Sequence, residues 1–441
     1  MKSMIKKNYL VLLPPILFAL LFLPFVGNAL CLDGWGENMK SMAFFTGGLD
    51  AFIRQPGLHP PLKALLSSIV FTLLGVNDVS INVMGLGLGV AGVVGLYFLA
   101  KKMFNPQVGM VSSMLLAVSP VYLSYGTHSF NDYMLTVFII WALYLYVQRR
   151  VLLYVFFATA ATMTKEPAVV LPLCVFTVEV LHNVQDLIRP KLSVILRTLL
   201  FAVPVASLVI WIWYVTLKEI PLFQENIFAP TRDKGILFTI VYNLITFNFF
   251  HDWAATHRLV LFYLNFNWVY WLIAMGGIVV ELVRKNTKQA IKNLFLSNPI
   301  SKTALTIMLF VLGYFFSVLS LQTLNAPRYN LPILPFLYMI VAWVFVRVIK
   351  RLPSYVFILL GFFIFIQLFY SVDPISRMLW GTKLTHGQRM YGFNYVEGSS
   401  DSIIYNLQYP LILRDRKIKL TSLAVKGSGP IQQSVMCNFV H

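Results

Sequence analysis

Long apolar runs separated by short polar breaks recur from Tyr9 to Tyr370. A bilayer core needs roughly 20 apolar residues per crossing helix, and the runs are read as spans on that measure. The first, 9–32, follows Lys2, Lys6 and Lys7 and lacks a small-residue cleavage site, so it reads as a retained first helix rather than a signal peptide. The run 62–74 is too short to cross; it starts at Pro60-Pro61 and ends at Gly75, which predicts a helix lying along the interface. Runs 79–100, 108–125 and 133–147 follow as spans. Runs 151–163 and 167–181, parted by Thr164-Lys165-Glu166, fit either two short spans or one re-entrant hairpin. Runs 199–217, 259–283, 304–321, 331–346 and 355–370 complete a series of about 11 spans, or about 9 with a re-entrant pair. The pattern predicts an all-α integral membrane protein, a multi-spanning helical bundle over residues 1–371. Its extracytoplasmic loops bear interfacial helices, and a small polar segment, 372–441, follows.

Composition agrees. The 441 residues are 58% hydrophobic and only 12% charged, more apolar surface than a soluble core of this size can hide. The net charge of +18 sits in clusters between the runs, such as Lys101-Lys102, Arg149-Arg150 and Lys350-Arg351, and is a topology signal rather than a nucleic-acid surface. Under the positive-inside rule these clusters are cytoplasmic and the first loop, 33–78, is extracytoplasmic, in a multi-pass protein of the plasma membrane. Cys31, Cys174 and Cys437 have no metal-type spacing and imply no disulfide framework.

That parity gathers Asp33, Glu37, Asp50, Arg54, His59, His128, Asp132, Lys165, Glu166, His251, Asp252, His257 and Arg328 at the outer face. Carboxylates there can serve as general bases or metal ligands, and Arg and Lys can neutralise a phosphate. Plainer readings stand beside these. Asp33 can be a solvated helix end, Asp132 an N-cap for the run starting at Tyr133, and His59 a companion of the Pro-Pro turn. Arg328 and Lys165 are cations on the side the orientation rule disfavours, so each needs an anion, either Glu166 or another protein acid, or a phosphate. The glycines from Gly85 to Gly95 lie inside a span, where small residues let helices pack closely, and no P-loop or dinucleotide fingerprint is present.

Five stretches carry a family resemblance: Asp33 just after the first helix, HPPL at 59–62, LAVSPVYLSYGTHSFND running into Asp132, TKEP at 164–167, and PRYNLPILP at 327–335. Together they resemble the polyprenyl-phosphate-dependent glycosyltransferases of the GT-C fold, which include protein O-mannosyltransferases and lipid A aminoarabinose transferases. The resemblance implies an inverting enzyme that moves a sugar from dolichyl- or undecaprenyl-phosphate to a protein, lipid or glycan acceptor. It makes Asp33 and Asp132 catalytic, with Glu37 a further candidate, and turns Arg328, Lys165, His59 and Tyr329 toward the donor phosphate. This chain has Asp33-Gly34 where the family often has Asp-Glu, and His59 where some relatives have lysine. Metal dependence varies within the fold, so no cofactor is predicted and a divalent metal stays open. The implied partners are the lipid-linked sugar, its acceptor and membrane lipid, with no nucleic acid. The competing class is a transporter or flippase for a lipid-linked or anionic substrate. Transporters tend to carry charge near the midplane and to show related halves, whereas these apolar cores are nearly free of charge and show no repeat.

Overall fold

The computed structural model describes residues 9–27, 32–55, 59–127, 129–188, 192–218, 299–320 and 327–349, with isolated positions between 242 and 279. Helix α1 (Leu13–Phe22) lies between 3-10 turns at Tyr9–Leu12 and Leu23–Phe25, with prolines in its first turn, where the missing N–H has no helical partner to lose. Helices α2 (Leu32–Ile53) and α3 (Leu62–Leu74) make up the first loop. Helix α2 is kinked at Gly48, with φ 67°, and α3 stops at Gly75, with φ 80°. Both positions use the left-handed region that glycine enters freely. Helix α4 (Asp78–Met103) is capped by Asn77, and α5 (Pro106–Ala117) by Asn105, each side chain accepting a backbone N–H at 2.9 Å.

The run 108–125, expected as one span, is broken in two. Helix α5 stops at Ala117 and α6 (Pro120–Gly126) starts afresh. Pro120 has no N–H with which to continue the ladder, and the residue before a proline is pushed out of the helical region; Ser119 has ψ 117° and caps α6 through Tyr122 N–H at 3.4 Å. Then come α7 (Asn131–Val147), α8 (Val151–Thr162), a 3-10 turn at Glu166–Val169, α9 (Val170–Ile188) and α10 (Leu192–Leu217). After these lie α11 (Pro299–Ser320), a turn at Pro327–Asn330 and α12 (Leu334–Ile349). No strand occurs among the described residues.

Four described helices are long and apolar enough to cross a membrane unaided: Asp78–Met103, Glu166–Asn183, Thr198–Leu217 and Pro299–Ser317. Shorter apolar helices fill the rest of the bundle. Most of 259–283, and all of 355–370 and 372–441, lie outside the described residues, as do Lys218–His257 apart from isolated positions. The starts of α4 and α7 lie side by side, because Ser129 donates to the Ile81 carbonyl at 3.2 Å. The far ends of the same helices carry Lys101-Lys102 and Arg149-Arg150. Helix α8 leaves from that far end, and the turn after it returns Lys165 to Asp132 at the start of α7. Helix α9 then returns to the far end, where Tyr146 of α7 donates to Glu179 at 2.7 Å, so the 151–188 region forms two legs beside α7.

The glycines of α4 do the packing expected of them. A Cβ at Gly85 would strike the Gly126 carbonyl, one at Gly89 the Tyr133 hydroxyl and Phe18 ring, and one at Gly92 the Tyr122 hydroxyl. These three recur at helical spacing and form one face, against which α1, α6 and α7 close. The close approach also satisfies buried hydroxyls: Tyr122 donates to the Gly89 carbonyl at 3.3 Å and Tyr133 to the Gly85 carbonyl at 3.2 Å. The Tyr122 and Tyr133 rings lie 4.7 Å apart, both fully buried. Substituting Gly92→Leu should wedge α4 from α6 and α7 at a cost of about 2 kcal/mol or more, read as a lower unfolding temperature in detergent; Gly87→Leu, where a Cβ has open space, should be tolerated.

Candidate active site

At the end of the bundle where α7 begins, five chain segments meet: the early turns of α2, the His59–Lys63 stretch entering α3, the first turn of α7, the 164–166 turn, and the Pro327–Asn330 turn. Asp132 is the centre. Its side chain is fully buried, and its Oδ2 accepts from Lys165 Nζ at 2.7 Å while Arg328 Nε stands 3.6 Å from the same oxygen. Its Oδ1 has no hydrogen-bond partner among the described residues. Lys165 reaches this point because residue 165 is extended (φ −158°, ψ 141°), ending α8 and aiming its side chain across to α7. Burial alone would lower the Lys165 ammonium pKa, but Asp132, with Tyr329, more than offsets it and holds the group above the usual lysine range.

Arg328 is held by rings as well as charge. Its guanidinium carbon lies 5.1 Å from both the Phe130 and Tyr329 ring centres, and its NH2 donates to the Tyr329 hydroxyl at 3.3 Å. Lys165 Nζ sits 4.6 Å over the same Tyr329 ring. Among the described residues a protein acid, Asp132, thus stands beside Arg328. Asp132 does not act as an N-cap: Phe130 occupies the cap position with no side-chain bond.

The cap comes instead from Glu37 on α2. Its Oε2 accepts the Asn131 backbone N–H at 2.9 Å, at the positive end of α7, and Lys63 Nζ at 3.0 Å. Burial would raise the Glu37 carboxyl pKa, yet Lys63, Arg328, Lys165 and His59 together hold it well below the usual carboxylate range. Lys63 is pulled below the lysine range by burial, which the Glu37 carboxylate beside it only partly counters.

A further contact joins the two turns. His59 Nδ1 bonds the Glu166 carboxylate at 3.0 Å, and the Leu62 N–H donates to the Met163 carbonyl at 3.0 Å. Glu37, His59, Asp132, Lys165, Arg328 and Tyr329 therefore share one site, joined by Glu166. Asp50, on α2, and Arg54, just past its end, are exposed and make no contact with this site among the described residues. Asp33 lies in the first turn of α2, four positions before Glu37, but its side chain lies outside the described residues, as do His128, His251, Asp252 and His257. Sequence reasoning missed Lys63. The available signal was a lysine inside an otherwise apolar half-length helix, a placement that burial penalises unless an acid meets it.

Among the described residues no group of three or more His, Cys, Asp or Glu side chains is arranged to hold a metal. Two cations on the Asp132 oxygen also make that carboxylate an unfavourable ligand for a divalent ion.

Glu37→Gln should cost about 3 kcal/mol at neutral pH, because it leaves Lys63 buried without its anion, and Glu37→Gln with Lys63→Met should recover much of that loss. The Glu37 pKa is depressed on folding, so its stabilisation is complete above the unfolded carboxylate pKa and falls as acid approaches the folded one. The stability difference between wild type and Glu37→Gln should therefore hold above about pH 4, shrink steadily below it, and vanish only as pH nears the strongly depressed folded value.

Comparison with known proteins gives three findings. Residues 58–212, about a third of the chain, match the family model for dolichyl-phosphate-mannose-protein mannosyltransferase. ArnT from Cupriavidus metallidurans, solved bound to undecaprenyl phosphate, superposes with a TM-score of 0.50 at 15% identity, covering 80% of this chain and 62% of ArnT. The archaeal oligosaccharyltransferase AglB from Archaeoglobus fulgidus, solved with an inhibitory peptide and a dolichol-phosphate, gives a TM-score of 0.49 at 11% identity, covering 97% of this chain and 62% of AglB. The chain thus spans less than two thirds of the length of either. No curated protein matches the sequence.

Proposed function

We propose that this chain, whose fold is that of the GT-C polyprenyl-phosphate-sugar glycosyltransferases, transfers a sugar from a polyprenyl-phosphate donor to an acceptor hydroxyl at the Asp132 end of its bundle. The observation that carries the reading is the pair of buried cations, Lys165 and Arg328, converging on a single carboxylate oxygen beside Tyr329. Two cations meeting at one anion can present positive charge to a phosphate. The family match covers His59, Asp132, Lys165 and Glu166, and ArnT was solved with a lipid phosphate.

In this reading an acceptor hydroxyl gives its proton to a carboxylate and its oxygen attacks the anomeric carbon. The bond from that carbon to the phosphate oxygen breaks on the opposite face, and the polyprenyl phosphate leaves, so the configuration inverts. Arg328 and Lys165 stabilise the charge that grows on the leaving phosphate. Glu37 is a poor base for this task, since it is held ionised well below the usual range and is engaged by Lys63 and the Asn131 N–H. The base is then Asp33, one helical turn earlier in α2, and Glu37 seats the helix that bears Asp132. The acceptor is a protein, lipid or glycan on the extracytoplasmic side of the plasma membrane. That side is argued from the basic clusters at the far ends of α4 and α7.

Two measurements test this. With purified protein and a polyprenyl-phosphate sugar, Asp33→Asn should slow transfer by about two orders of magnitude or more while donor affinity holds, and Arg328→Ala should weaken donor affinity. Near-normal transfer by the first variant would move the base elsewhere. For sidedness, cysteines placed at the exposed Asp50 and Lys102 positions, after removal of the native ones, should label unequally with an impermeant thiol reagent on intact cells. Labelling of Asp50→Cys alone is expected, and the reverse would invert the orientation.

A further inference from the structure

We infer that Glu166 is the positioning residue for a phosphate-reading His59, an inference that rests on the donor reading above. The His59 side chain is 29% exposed and the Glu166 side chain 23%, against 0% for Asp132, so the pair stands at the rim of the site rather than in its floor. Both Glu166 oxygens lie within reach of a single ring nitrogen, Nδ1, at 3.0 and 3.3 Å. Among the described residues the ring is held from that side only, and Nε2 lies at its opposite edge.

The backbone fixes the same geometry independently. The Leu62 N–H to Met163 carbonyl bond locks the 59–62 segment to the 164–166 turn, and the buried Pro60 between them removes backbone freedom. Glu166 and Lys165 are adjacent, yet they serve different groups: Lys165 Nζ goes to Asp132, while the ion pair of Glu166 among the described residues is with His59.

A bare carboxylate beside a phosphate site is repulsive, so an acid tolerated there acts through a cation placed between it and the anion. Imidazole can be that cation only with both nitrogens protonated, and then Nδ1–H donates to Glu166 while Nε2–H is free to donate to a phosphate oxygen. Lysine in place of His59 has no ring to be oriented. Glu166 thus fixes the ring edge from which a phosphate would be met.

The test is a double-variant cycle on the full-length protein in nanodiscs, with undecaprenyl phosphate as the probe and its dissociation constant as the readout. Glu166→Gln should weaken binding about tenfold or more. In a His59→Lys background the same change should alter binding by less than about twofold, because lysine has no ring for Glu166 to orient. Glu166→Asp should restore part of the affinity in the His59 protein. Equal losses in both backgrounds would show that Glu166 only holds its turn and would overturn the inference, as would no loss in the first. Arg328→Ala, run alongside, separates the two levels. If it weakens binding while Glu166→Gln does not, only the positioning role fails. If the wild type does not bind the probe, or neither Arg328→Ala nor His59→Ala changes its affinity, the donor reading itself fails.

Discussion

Two buried cations, Lys165 and Arg328, repel each other and are tolerable together only because both meet the buried Asp132 carboxylate, which needs them in turn. Taking one carboxylate or ammonium out of water costs several kcal/mol even after relaxation, and mutual attraction offsets that cost only when the geometry is tight. This requirement reaches through the whole fold. The start of α7, the turn after α8 and the turn before α12 come from widely separated parts of the sequence, and they must arrive together or leave a bare charge in an apolar bundle.

The rest of the site secures that meeting. Glu37 braces α7 from α2 by capping its first amide, and its own charge is answered by Lys63 from α3, so the two loop helices are tied to the helix that bears Asp132. Phe130 and Tyr329 flank the Arg328 guanidinium and limit where it can swing. Behind them the glycine face of α4 brings α7 close enough for Tyr133 to reach the Gly85 carbonyl, which sets the height of Asp132 relative to the neighbouring helices. Tight apolar packing in the middle of the bundle thus supports a precise polar arrangement at one end.

How far the sequence foretells this differs by element, for identifiable reasons. Helix α3 is legible to the residue, because Pro61 and Gly75 are local stop signals whose physics does not depend on the fold. The glycine face of α4 is legible from spacing. The break at Ser119-Pro120 was readable in principle, but the apolar run through it hid a proline whose effect is local. Asp132 shows the opposite failure. An acid two residues into a helix reads locally as a cap, and only the arrival of Lys165 and Arg328 from elsewhere changes its role. Lys63 was missed for the same reason, since its partner Glu37 lies on another helix. Pairings made across the fold leave no trace in local pattern beyond a charged residue where an apolar one would be cheaper.

The balance of charge at this end bears on how the proposed chemistry would be favoured. At the site's centre two cations, Lys165 and Arg328, face the single Asp132 carboxylate, so positive charge outweighs negative there. A sugar phosphodiester donor carries one negative charge, and the phosphate monoester that leaves carries up to two. The leaving group therefore gains charge as the bond to the sugar breaks, and a fixed positive surplus attracts it more strongly than it attracts the intact donor. An environment that binds the later charge distribution better than the earlier one lowers the barrier rather than merely the dissociation constant. Fixing these cations beforehand on Asp132 means that little reorganisation is needed when that charge develops. A buried acid that seems to oppose phosphate binding would then be what holds its counter-charges in place.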